Sequence, residues 1–135
     1  MPHDRQLVGH SDADVLLHAV TDALLGAAAL PDIGRMFPNT DPANQNRDSA
    51  EMLAAAAQEV KERNYRIVNI DCIVLAERPK LADYQEAIRH RVAGILGLSP
   101  FQIGLKAKTG EGIGPVGQEE VIEARCVALL AGITI

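Results

Sequence analysis

With 135 residues, 47% of them hydrophobic, the chain is long enough to bury the core of one domain without disulfide or metal staples. Thirteen Lys and Arg against 18 Asp and Glu leave a formal charge of -5, and there are only two Phe, two Tyr and no Trp. That composition excludes the basic stripe and stacking aromatics of a nucleic-acid binder.

The opening Met1-Pro2-His3-Asp4-Arg5 shows no apolar or Arg- and Ser-rich leader pattern, so a cytoplasmic location is expected. A helix is predicted from Ser11 to about Ala29. Ser11 and Asp14 have the spacing of a capping box, which would start that helix at Ser11. Asp14, His18 and Asp22 then fall at i, i+4 and i+8 and share one face among Leu, Val and Ala. Asp12, Asp14, His18, Thr21 and Asp22 interrupt the apolar run well short of the roughly eighteen residues a membrane span needs. A buried core helix is expected, and no membrane partner. His10 and Ser11 stand at its start, where unpaired N–H groups and the positive end of the dipole favour an anionic phosphate. The cluster from His10 to His18 therefore reads as half of a metal or phosphate site. A capping box alone also accounts for Ser11 and Asp14, and a single helical His is more often a hydrogen-bonded structural residue than a ligand.

Asp32 to Pro42 is full of turn formers and reads as a long loop, either functional or merely connecting. Asp48-Ser49 opens a second helix running to about Arg63, with Met52, Leu53, Ala56 and Val60 as its apolar stripe. Ile67 to Ala76 reads as a strand that ends at Arg78-Pro79. A third helix spans about Ala82 to Leu96, stops at Gly97 and is kept from resuming by Ser99-Pro100. Phe101 to Lys108 and Val121 to Ala131 make two more strands. Cys72 and Cys126 lie in apolar, strand-like runs without C-x-x-C spacing and read as buried thiols of a reducing compartment, with nothing to support a disulfide. The order α, α, β, α, β, β, with no repeat or linker, predicts a single domain over residues 1–135.

Between the last two strands, Lys106-Ala107-Lys108-Thr109-Gly110-Glu111-Gly112-Ile113-Gly114 brings two cations, a hydroxyl and flexible backbone to a strand end. Those are the parts of an anion cradle, although the Gly-Lys-Ser/Thr ending and following helix of a P-loop are missing. Glu111 suits a divalent cation that bridges it to phosphate oxygens. A plain hairpin turn is the other reading of the same glycines.

The blocks 10–30 (His-Ser-Asp-Ala-Asp-Val-Leu-Leu-His and onward), 32–42 (Asp-Ile-Gly-Arg-Met-Phe-Pro-Asn-Thr-Asp-Pro), Asp48-Ser49, Arg78-Pro79-Lys80-Leu81 and 106–114 resemble, in order, the methylerythritol cyclodiphosphate synthases. The resemblance covers nearly the whole chain. It implies an α+β fold, a ferredoxin-like two-layer sandwich with helices on one face of a mixed sheet, assembled as a homotrimer with active sites between subunits. It also implies a small-molecule substrate carrying cytidine diphosphate, whose 2-phosphate attacks the β-phosphorus and expels CMP. By that resemblance His18 is a zinc ligand, while His10 and Ser11 hold a substrate phosphate. Asp32 and Gly34 contact the ribose, and Phe37 and Asn39 belong to the segment covering the methylerythritol. Ala76, Pro79, Lys80, Leu81 and Ala107 shape a cytosine pocket. Lys108 and Thr109 grip the diphosphate, and Glu111 holds a second ion, Mg2+ or Mn2+. No side-chain nucleophile is required, since positioning and charge neutralisation carry this kind of phosphoryl transfer.

The pattern also departs from the family's. Its members begin with strands, one of which bears an Asp-x-His motif supplying two more zinc ligands, and this sequence lacks them. His18 is then one of the three protein ligands a catalytic zinc normally has, and a sheet edge is expected to stand unpaired. Gln118-Glu119-Glu120 stands where the family commonly has Gly-Arg-Gly-Glu, and Asn39 replaces an Asp. The expectation is a metal-dependent cyclising synthase, with a trimeric cytidine-nucleotide-binding or assembly module bearing an incomplete zinc site as the alternative.

Overall fold

The computed structural model describes the backbone of residues 2–38, 48–75, 84–108 and 123–133, and the side chains of these from residue 13 onward. Its elements, in order, are α1 (Pro2–Ala27), α2 (Ile33–Met36), α3 (Ser49–Glu62), β1 (Tyr65–Leu75), α4 (Gln85–Leu96), a 3-10 turn (Pro100–Gln102), β2 (Ile103–Lys108) and β3 (Glu123–Gly132).

The expected helix start at Ser11 is wrong. α1 begins at Pro2, a residue suited to a first helical turn, and runs through Ser11 without a break. The amides near Ser11 are therefore served by the preceding turn and leave no orphan N–H groups for a capping box. At its other end α1 stops at Ala27, two residues earlier than expected. Ala29 turns left-handed (φ 58°), and the Leu30 N–H donates to Leu25 O at 2.8 Å.

Two other segments differ from expectation. Within the predicted loop after Pro31, Asp32 caps the single turn of α2 by accepting the Arg35 N–H at 3.0 Å. The strand expected from Phe101 starts instead at Ile103. Ser99 and Gln102 form a capping box around Pro100, whose fixed φ suits a turn, and the chain winds once before it extends. α3 falls where expected; α4 ends on Gly97 at φ 69° as expected but begins at Gln85, after the N-cap Tyr84, about three residues later than expected.

The sheet has the order β2-β1-β3. β1 and β2 are parallel, from Ile70 opposite Ile103 to Leu75 opposite Lys108, and α4 makes the crossover that a parallel pair requires. β1 and β3 are antiparallel, from Tyr65 opposite Gly132 to Leu75 opposite Glu123, with an irregularity between Ile67 and Asn69. The helices cover one face, giving the expected two-layer α+β sandwich on a mixed sheet. Ile70, Cys72, Val74, Ile103 and Leu105 meet Leu16, Leu17, Val20 and Leu24 of α1, Leu53 and Val60 of α3, and Ile88, Val92 and Ala93 of α4. On the other face Lys106 pairs with Asp71, and Val127 and Leu129 stand 73% and 56% exposed. Gly104 leaves room for that pair, since a Cβ there would stand 2.8 Å from Asp71 Oδ1. Among the described residues no helix is long and apolar enough to cross a membrane.

Cys72 and Cys126 sit directly opposite each other on β1 and β3, on the core side, as free thiols. The Cys72 hydrogen bond, reinforced by burial, pushes the Cys126 thiol well above its ordinary range. Iodoacetamide at pH 8 is therefore expected to leave both cysteines unlabelled in the native protein and to label both in urea, as read by mass spectrometry. Leu24, fully buried between helix and sheet, is expected to cost about 2–5 kcal/mol on Leu24→Ala in urea denaturation, whereas exposed Glu51→Ala should stay within about 0.5 kcal/mol.

Candidate active site

α1 and α3 meet over a cleft of about 560 Å³. Asp14, Leu17 and His18 line it from α1, Asp48, Ser49 and Met52 from the start of α3, and Arg91 from α4. The local sequence explains this crossing. Asp48 is the N-cap of α3, its carboxylate accepting the Ala50 N–H at 2.8 Å, which frees the next residue's hydroxyl for a partner outside the helix. Ser49, only 6% exposed, turns that hydroxyl onto α1. It donates to the Asp14 carboxylate, and its Oγ lies 2.9 Å from His18 Nε2. The cleft thus holds an imidazole with one ring nitrogen engaged, a carboxylate bound to a hydroxyl, and an arginine at its margin.

The predicted stripe of Asp14, His18 and Asp22 is only partly realised. Four residues exceed one helical turn of 3.6, so the stripe drifts about 40° per step and Asp22 leaves the cleft. Asp22 instead accepts the Ile33 N–H at 2.7 Å, tying the start of α2 to α1. That bond and the Asp32 cap fix the short segment carrying Asp32 and Gly34, both exposed, and Phe37 follows them at 9% exposure.

His10 and Ser11 lie inside α1, so the argument from a helix N-terminus does not apply to them; their side chains fall outside the described residues. Ala107 and Lys108 end β2, opposite Val74 and Leu75 of β1, with Ala107 half-buried against the core and Lys108 exposed. Neither lines the cleft at His18. Lys106, counted with Lys108 as a cation of the glycine-rich loop, is instead committed to Asp71 on the outer face of the sheet. Asn39, Ala76, Pro79, Lys80, Leu81, Thr109, Glu111 and Gln118 lie outside the described residues.

Sequence reasoning assigned no site role to Ser49 or Arg91. Arg91 gives no local signal. Ser49 gives a faint one: Asp48 and Ser49 are both cap formers, one suffices for α3, and the other is left for something else.

Comparison with known proteins places this geometry in a family. The model of the YgbB family matches residues 1–131. A protein of Verminephrobacter eiseniae named 2-C-methyl-D-erythritol 2,4-cyclodiphosphate synthase is 58% identical over 124 residues, covering 92% of this chain and 68% of that protein. The protein of the same name from Dechloromonas aromatica is 52% identical over 130 residues, 96% of this chain and 81% of that one. Among solved structures, the CDP complex of IspF from Plasmodium falciparum superposes with a TM-score of 0.79 at 31% identity, over 89% of this chain and 72% of that one. The bifunctional IspDF of Campylobacter jejuni superposes with a TM-score of 0.83 at 39% identity over 88% of this chain, which spans only 32% of that protein. A match running from residue 1 to 131, with more than half of the aligned positions identical in both named relatives, means that the chain belongs to the YgbB family, alongside the 2-C-methyl-D-erythritol 2,4-cyclodiphosphate synthases.

Proposed function

We propose that this chain makes the product for which its relatives are named, cyclising 4-diphosphocytidyl-2-C-methyl-D-erythritol 2-phosphate to 2-C-methyl-D-erythritol 2,4-cyclodiphosphate with release of CMP. The observation that carries this is the 58% identity over 92% of the chain to a synthase of that name. The chain is then an enzyme, a cyclising lyase. An oxygen of the 2-phosphate attacks the β-phosphorus, the bond from that phosphorus to the CMP oxygen breaks, and CMP departs with the electron pair. Catalysis consists of holding the two phosphates in line and offsetting their charge.

Two places on this chain are read as serving that task. The carboxyl ends of the parallel strands β1 and β2 lie side by side at Leu75 and Lys108, the kind of strand-end position where α/β sheets commonly bind ligands. There Lys108 and Thr109 hold the diphosphate, and Ala76, Pro79, Lys80, Leu81 and Ala107 receive the cytosine. The CDP bound by the Plasmodium falciparum neighbour supports a cytidine nucleotide as the ligand. Asp32 and Gly34 serve the ribose, Phe37 and Asn39 the methylerythritol, and His10 and Ser11 a phosphate.

The second place is the cleft at His18. Its imidazole has one ring nitrogen hydrogen-bonded to Ser49, the support that metal-ligating histidines usually have, and so it fits one position of a divalent ion. Among the described residues no three His, Cys, Asp or Glu side chains converge on one point, so His18 is read as a single ligand of that set. His18 would hold zinc and Glu111 a Mg2+ or Mn2+ ion, and when bound these ions would supply neutralisation of phosphate charge. The assembly is read as a homotrimer with sites between subunits, in the cytoplasm; the sheet face away from the helices, where Val127 and Leu129 are exposed among the described residues, supports association there.

The test is CMP release from the 2-phosphate substrate with Zn2+ and either Mg2+ or Mn2+ supplied. Turnover that falls more than about a hundredfold in His18→Ala supports the reading. CMP binding with no turnover under any ion would identify the nucleotide-binding module instead. Val127→Asp should shift the sedimentation of the protein from trimer toward monomer.

A further inference from the structure

If His18 is a metal ligand, as proposed above, one of its two ring nitrogens must carry the lone pair, and the hydrogen bonds around Ser49 decide which. A serine hydroxyl has one proton to give. An ionised carboxylate only accepts, so that proton goes to Asp14, the partner to which Ser49 donates. Ser49 Oγ then faces His18 Nε2, 2.9 Å away, with a lone pair, and the proton of this second bond must come from the ring. A neutral imidazole that bears its proton on Nε2 has its free lone pair on Nδ1.

We propose that Ser49, oriented by Asp14, is a positioning residue that holds His18 in the Nε2–H tautomer and reserves Nδ1 for the metal ion. The surroundings favour this direction. Ser49 is 6% exposed, which limits water as a substitute partner. The other carboxylate lining the cleft, Asp48, is occupied with the Ala50 N–H and caps α3. Arg91, the cation of the cleft, can only donate and so offers no acceptor that would draw the hydroxyl proton away from Asp14. Asp14 and His18 are one helical turn apart, so a single hydroxyl from α3 can meet both.

The experiment is a long-range 1H–15N correlation spectrum of the His18 ring in the 15N-labelled full chain at neutral pH, followed by titration with Zn2+. The expected spectrum has a protonated Nε2 and an unprotonated Nδ1, and Zn2+ perturbs Nδ1. Ser49→Ala should give mixed tautomers and a Zn2+ affinity lowered about 10- to 100-fold, the usual cost of losing such a support. Asp14→Asn, whose side chain can reverse the hydroxyl, should do the same, and Ser49→Thr should restore both readouts. A proton on Nδ1 in the unaltered protein overturns the proposal, as does a Ser49→Ala protein with unchanged tautomer and Zn2+ affinity. The tautomer of the unaltered protein needs no variant to fold. If Zn2+ leaves both ring nitrogens unperturbed while the tautomer is as expected, the metal reading of His18 fails and only the orienting role of Ser49 stands.

Discussion

Burial of α1 between the sheet and α3 is the constraint on which the rest depends. Leu16, Leu17, Val20, Leu24 and Leu25 are each at most 3% exposed, and the helix packs against β3, β1, α3 and α2. A helix in that position must be apolar on more than one side. It must also satisfy each polar group it carries inward, because an unpaired buried donor or acceptor costs about 1–3 kcal/mol. Thr21 shows how this is met within the helix: fully buried, it returns its hydroxyl to Leu17 O at 2.8 Å.

Asp14 and His18 present the same problem on the neighbouring strip of α1, and α3 supplies the answer. Its first turn brings Ser49 against both groups, and its N-terminal end offers a positive partial charge near the Asp14 carboxylate. The polar cluster is thereby tied to the way two helices cross. Side chains with bonds on both sides of an interface have fewer rotamers open to them, so the polar groups of the cleft are placed by packing rather than by a loop.

Much of this was legible from sequence, for identifiable reasons. The strands and helices with clear apolar periods, such as the stripe Leu53, Ala56 and Val60, were found within about three residues, because burial and period report the same physical fact. The mixed sheet was expected from the resemblance alone, and which strands pair, β1 with β2 across the α4 crossover, is given by the structure. The start of α1 was misplaced because a capping box is a local pattern, and Ser11 with Asp14 satisfies it whether or not the helix already runs through them. The turn of α2 was missed because Asp32, Gly34 and Pro31 read as loop formers, and the Asp22 bond that stabilises the turn comes from eleven residues away. Ser49 was seen as a helix opener and no more. Its bonds to Asp14 and His18 span 35 and 31 residues, and no local pattern encodes a contact of that range.

The two places read as functional rest on different scaffolds, and this sets how the protein can lose activity. His18 follows Leu17, a core residue whose side chain also lines the cleft, so a cavity beneath α1 moves the imidazole as well as weakening the fold. Ala107 and Lys108 answer instead to the register of β2 on β1, held by Val74 opposite Ala107 and Leu75 opposite Lys108. A reaction that depends on holding two phosphates in line tolerates little displacement, since a shift of about 1 Å can cost on the order of a hundredfold in rate. A slip at the strand ends and a loosening under α1 therefore have the same consequence by separate routes. Substitutions far from any phosphate, in the core below α1 or in the β1–β2 ladder, can silence the chemistry while every residue that performs it is still present.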